Sequence, residues 1–300
     1  MAVTLDHLRI GSAPDSWGVW FPDDPWQVPW PRFLDEVAAS GYEWIELGPY
    51  GYLPVDPDRL ADEVGLRGLR VSAGTVFTAL HRGPAVWEET WEHVARVARL
   101  TRAMGARHVV VIPSFWRDDR TARRIEPPEL TAEQWRHLAS GTERLGRELR
   151  DVYGLQIVVH PHADTHIDTQ EHVEMFLDAT DPDLVGLCLD TGHYAYCGGD
   201  SVRLIETYGE RLGYLHLKQV NPEVLADVRA GGTPFGPAVR QGVMCEPPGG
   251  VPALEPVLAA AQKLGVDMFA IVEQDMYPCP PEQPMPIAVR TRRYLRGCGA

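Results

Sequence analysis

The stretch His160-Pro161-His162-Ala163-Asp164-Thr165-His166-Ile167-Asp168 puts three histidines and two aspartates into nine positions, directly after the apolar run Gln156-Ile157-Val158-Val159. Three further places repeat the pattern of an apolar run ending in titratable groups. Asp190 is followed by Thr191-Gly192-His193; His216 and Lys218 stand two apart; Glu273 and Asp275 stand two apart behind Phe269-Ala270-Ile271-Val272. Imidazole nitrogens and carboxylate oxygens are the borderline and hard donors that suit Mn²⁺, Co²⁺, Fe²⁺ or Zn²⁺. Each residue alone has an ordinary explanation. His162 could be a hydrogen-bonded packing histidine, and Asp190 before Thr-Gly could be a turn or cap residue. Glu273 resists this treatment, because a carboxylate ending a buried run needs a partner. Taken together, the ordinary explanations require acids and imidazoles on four successive run ends by coincidence.

What positions these groups is a repeating unit: a β-branched run, a polar loop, then a stretch with apolar residues at helical spacing. The runs at His7–Ala13, Tyr42–Gly48, Arg70–Phe77, His108–Ser114, Gln156–His162, Val185–Asp190, Tyr214–Lys218 and Phe269–Asp275 predict eight strands. Near-continuous Val and Ile mark strands of a parallel sheet covered by helices. Eight such units predict an α/β fold, a (β/α)₈ TIM barrel, with residues 1–300 as a single domain. A doubly wound open sheet is the rival, but no GxGxxG follows the first run. In a barrel the last four run ends share one mouth, since residues two apart on a strand face the same way. Two long connections, Asp15–Pro31 with Trp17, Trp20, Phe21, Trp26 and Trp30, and the Gly- and Pro-rich Gln219–Gly250, would hang over that mouth.

Composition narrows the partners. At 44% hydrophobic and 23% charged, the 300 residues suit a globular fold with a sizeable core. A formal net charge of -14 repels phosphate backbones, so no nucleic-acid partner is expected. Arg120, Arg123 and Arg124 are offset by Asp118, Asp119 and Glu126 and read as a solvated loop. No apolar run approaches a membrane span, and the start MAVTLDHLRIG does not resemble a signal peptide. Five scattered cysteines without a CxxC pair fit a reducing, cytoplasmic setting. The oligomeric state stays open, a homo-oligomer included.

The chain resembles the xylose-isomerase-like barrel superfamily of sugar isomerases and epimerases, and within it the inosose dehydratase branch. The stretches that carry the likeness are GSAPDSWG (11–18), IELGPYGYLP (45–54), VVHPHADT (158–165), LDTGHYAYCGGD (189–200), LHLKQVNPEVL (215–225) and VEQD (272–275). The superfamily holds a divalent metal with Glu, Asp, His and Glu from strands five to eight. The resemblance implies Asp190, His216 and Glu273 as three ligands here. In the strand-five place this chain departs from Glu-x-His and reads His160-Pro161-His162, which implies His160 as the fourth. Manganese or cobalt is the implied ion, with zinc and iron(II) compatible.

The resemblance further implies a small polyol or sugar substrate, deprotonated beside its carbonyl. Replacing a ligand carboxylate by His160 removes one of the two proton carriers that related epimerases use, which favours loss of a β-hydroxyl: a metal-dependent dehydratase, a carbon–oxygen lyase. Glu273, Lys218 and His193 are all candidates for the base, and His162 or Glu46 for the acid that protonates the departing hydroxide. Glu46 is expected on the side of the mouth away from the ligands, binding substrate hydroxyls, with Trp17, Trp20 and Tyr50 closing over the ring. Three alternatives compete: an isomerase or epimerase with the same metal, a nuclease like the apurinic endonucleases that share the barrel, and a barrel that has lost turnover.

Overall fold

The computed structural model describes residues 6–118 and 120–300. The start of the chain at 1–5 and Asp119 in the arginine loop lie outside the described residues. Among the described residues there are ten strands: β1 (Leu8–Ser12), β2 (Trp44–Glu46), β3 (Arg70–Thr78), β4 (His108–Pro113), β5 (Gln156–Val159), β6 (Val185–Asp190), β7 (Leu212–Leu217), β8 (Gln219–Val220), β9 (Met244–Cys245) and β10 (Met268–Val272). Eight of them close a barrel in the order β1-β10-β7-β6-β5-β4-β3-β2, and every pairing in it is parallel. All eight strands expected from the sequence are there. The main differences are at C-terminal ends. β5 stops at Val159, because Pro161 has no N–H to donate, yet His160 N still donates to Val111 O at 2.9 Å. β10 stops at Val272, with Glu273 N donating to Leu217 O at 3.2 Å. The ladder thus carries both residues to the rim and then releases the backbone.

The barrel axis is filled by Ala73, Val110, Val158, Cys188, Tyr214, Phe269 and Ile271. This plug makes the mouth the floor of a cavity and not the entrance of a pore. Outside the sheet, the helices bury one stripe each. In the helix Ala132–Tyr153, Leu138, Leu145 and Leu149 are at most 1% exposed, and each burial stabilises by roughly 1.5–3 kcal/mol. Thr131 and Gln134 form a capping box at its start, and Gly154 ends it at φ 67°, a left-handed conformation that glycine adopts without strain. No described helix is long and apolar enough to cross a membrane.

Gln219–Gly250, expected as a long loop, is organised. β8 and β9 form an antiparallel pair, with the helices Pro222–Gly231 and Phe235–Arg240 between them. Leu225, Val228, Phe235, Val239 and Met244 share a small core with Ala163. The sequence obscured this because the elements are too short for a period to show. Asp164 fastens the unit to the β5 loop: its Oδ2 accepts from Phe235 N at 3.1 Å, while its own backbone sits at φ 62°, which aspartate tolerates better than most residues.

Candidate metal centre and catalytic pocket

Asp190 ends β6 and performs two tasks with two oxygens. Oδ1 accepts from Gly192 N at 2.8 Å and His193 N at 2.7 Å, capping the turn Thr191–Tyr196. Oδ2 is buried and has no hydrogen-bond partner. The cap reading of Asp190 holds through Oδ1, and Oδ2 stays available to an ion. His216 on β7 is polarised in the same sense. Its Nε2–H donates to Glu46 Oε1 at 2.6 Å, which turns Nδ1 towards Glu273 and Asp190. Nδ1 lies 3.0 Å from Glu273 Oε2 and 3.7 Å from Asp190 Oδ2, and His160 Nε2 lies 3.4 Å from the same Asp190 oxygen. One ligand atom from each of His160, Asp190, His216 and Glu273 falls within 4.8 Å of the others. Asp190 Oδ2 and His216 Nδ1, both buried without a hydrogen-bond partner, in a two-imidazole, two-carboxylate set fit a divalent transition cation.

Lys218 rises beside this cluster. Its Nζ donates to Asp275 Oδ2 at 2.8 Å and lies 3.0 Å from His193 Nε2, 3.1 Å from Glu273 Oε2, 3.2 Å from Asp190 Oδ2 and 3.6 Å from Asp15 Oδ2. Gly192 makes room for it. A Cβ there would fall 2.5 Å from Lys218 Cγ, which accounts for the glycine of DTGH. Thr191 Oγ1 pins the same lysine's backbone, donating to Lys218 O at 2.6 Å and accepting from Lys218 N at 3.0 Å.

Electrostatics sort the roles. Burial would depress the Lys218 ammonium, but Asp190, Asp275, Glu273 and Asp15 hold its pKa well above the ordinary value, so it stays cationic. Burial would raise Glu273, but His216 and Lys218 bring it down to about 2. Asp190 behaves alike, burial being outweighed chiefly by Lys218. Asp15 is raised well above the usual carboxylate range by burial and by Glu273, and Asp275 is raised mainly by burial. His162 and His193 are both held neutral, by burial first and then by the neighbouring His160 and His162 respectively. The Cys188 thiol beneath His216 is pushed up to about 12 by burial, and all five cysteines are free.

A cavity of about 500 Å³ opens over the cluster, walled by Trp20, Phe21, Phe115, Arg117 and Phe235. His160, His162, His216, Lys218, Glu273, Asp275 and Glu46 all reach it. Trp20 stacks on Tyr277 at 5.1 Å and on Phe235 at 6.4 Å between ring centroids, an aromatic wall of the expected kind.

Several expectations need correction. Trp17 is wholly buried, edge-on to Phe33 with its indole N–H donating to Glu36 Oε2 at 2.8 Å; the Pro14–Trp17 turn, closed by Gly18 at φ 70°, points it into the core. Tyr50 packs edge-on to His93 outside the cavity. His193 is not part of the cavity lining, and its Nε2 faces Lys218 Nζ at 3.0 Å. The acids around Lys218 favour its ammonium form, which suits an acid in place of the base expected from the sequence. Glu46 is not remote from the ligands: Oε1 holds His216 and Oε2 accepts from Thr75 Oγ1 at 2.8 Å. The sequence reading also missed Asp15 and Asp164, which lie inside the quoted motifs, and Arg117, which lies outside all of them.

A model of the xylose isomerase-like TIM barrel family matches residues 34–298. The inosose dehydratase of Geobacillus thermodenitrificans is 31% identical over 299 residues, 98% of each chain, and that of Lacticaseibacillus casei is 29% identical over 292 residues, 96% of each chain. Among solved structures, the IOLI protein with a bound zinc atom superposes with a TM-score of 0.70 at 18% identity, covering 96% of this chain and 97% of that one. Motif, closed barrel and full-length similarity agree, and the chain belongs to the xylose isomerase-like TIM barrel family.

Proposed function

We propose that the chain, as a single barrel domain, is a divalent-metal-dependent dehydratase of a polyhydroxylated cyclic ketone, with an inosose as the first substrate to test. Full-length similarity to inosose dehydratases supports the reading. The observation that carries it is Lys218, a buried ammonium at the cavity beside the ligand cluster. Epimerisation needs two proton acceptors facing one carbon. Dehydration needs one acceptor and an acid for the departing hydroxide, and a held ammonium is such an acid.

His160, Asp190, His216 and Glu273 would hold the ion, with manganese or cobalt favoured. Bound there, it would supply Lewis-acid stabilisation of the negative charge that develops on a ketone oxygen. The remaining work belongs to side chains. His162 donates Nδ1–H to Ala163 O at 2.7 Å, so its Nε2 keeps a lone pair and the neutral ring accepts the α-proton. Lys218 gives a proton to the β-hydroxyl as its C–O bond breaks, and water leaves. Asp275 and Asp15, both prone to carry a proton, restore the ammonium. His193 positions Lys218 from behind. Arg117, Trp20 and Phe235 would hold the ring and exclude bulk water.

The test is metal-free protein reloaded with one metal at a time and given an inosose in D₂O. Water loss with a growing ultraviolet band from the enolised dione is expected. Rapid exchange at the α-carbon with epimer formation and no water loss would overturn the reading in favour of an epimerase.

A further inference from the structure

A second cluster of donors lies outside the catalytic groups. His81 sits in the turn Leu80–Arg82 after β3, Glu126 in the connection after β4, and His166 in the β5 loop. Both imidazoles are 1% exposed. His166 Nε2 lies 3.0 Å from Pro127 O, an acceptor only, so that nitrogen carries the proton and Nδ1 the lone pair; Nδ1 is buried and has no partner. His81 Nε2 lies 2.6 Å from Glu126 Oε2, and its Nδ1 is likewise buried without a partner. The two rings are 4.5 Å apart, and a ligand atom from each of the three residues lies within 4.8 Å of the others. Arg82 holds the other oxygen of Glu126. Burial keeps both histidines below their ordinary pKa, so they are neutral, as metal ligands must be.

Two buried imidazole nitrogens without a partner, beside a carboxylate, are costly to leave unsatisfied. We propose that His81, Glu126 and His166 form a second cation site, for zinc or a similar borderline metal, that cross-links the loops after β3, β4 and β5. Three protein ligands leave one position for a water molecule. None of the three residues lines the cavity, so the ion would act on the loops that carry them. Arg82, Arg117, Ile125 and Asp164 on the same loops line the cavity, so the ion would brace that wall without touching substrate.

The site stands whether or not the chain is a dehydratase, because its test counts ions. Crystals of the full chain grown with zinc should show two anomalous peaks at the zinc edge, one by Asp190 and one between His81 and His166. A single peak by Asp190 overturns the proposal. In solution, the His81→Ala/His166→Ala variant should bind one zinc fewer than the parent. Should that variant fail to fold, Asp190→Ala/His216→Ala decides: one bound Co²⁺ with a visible ligand-field spectrum supports the second site, and none overturns it.

Discussion

Glu46 and His216 belong to strands that do not pair, yet Oε1 of one and Nε2 of the other meet at 2.6 Å. The contact spans the barrel mouth and sets the tautomer of a candidate ligand. A carboxylate behind a ligating imidazole fixes its orientation and raises its basicity, and losing it typically costs ~10–100-fold in metal affinity. Glu46→Gln should therefore weaken metal binding by about that factor in a calorimetric titration. Unchanged affinity, with only KM altered, would return Glu46 to the substrate-binding role expected from the sequence.

Lys218→Met and His162→Gln should fail differently. Without the ammonium, the α-proton still leaves, so exchange with D₂O should persist while water loss falls ~10²–10⁴-fold. Without the neutral imidazole, exchange itself should fall. Equal loss of both signals in both variants would show that the acid and base roles are not divided this way.

Gly192→Ala tests the packing beneath the acid. The new Cβ would lie 2.5 Å from Lys218 Cγ and 2.7 Å from Lys218 Cβ. Overpacking of this kind costs about 1–3 kcal/mol, and displacement of the lysine should lower kcat more than it raises KM. A variant with parental melting temperature and kcat would mean that the lysine stem is free to move aside.

His108, near the bottom of the barrel, lies edge-on to Tyr214 and Phe269, and burial lowers its pKa to about 4. The unfolded chain takes up its proton near pH 6.5, the folded chain only near 4. Stability from this group is thus complete above pH 6.5 and is lost as pH falls towards 4. Urea midpoints of the parent should fall between pH 7.5 and 5, and less steeply in His108→Phe. Parallel slopes for the two proteins would rule out a contribution from this ring.

The barrel and the cluster of candidate ligands were legible because both follow a period. Val185–Asp190 and the strands beside it are apolar without interruption, and alternation brings His216 and Lys218 to one rim. Trp17 and Tyr50 had no such guide. Whether an aromatic in a connection turns into the core or over the mouth depends on turns such as the one closed at Gly18, and composition does not encode them. Glu46 was misplaced for a related reason: strand position says which rim a residue joins, not what its side chain meets across it. His81, Glu126 and His166 are spread over three loops, so no local spacing betrays them.

Asp190 also bears on which ions the centre refuses. With Oδ1 committed to two backbone amides, only Oδ2 is free, and the carboxylate cannot present both oxygens to one ion without uncapping the following turn. Calcium gathers six to eight oxygens and draws on two-toothed carboxylates to do so. Here two of the four donors are nitrogens and one acid is limited to a single tooth. Denticity alone therefore discriminates against calcium, without any repulsive charge or constricted entrance.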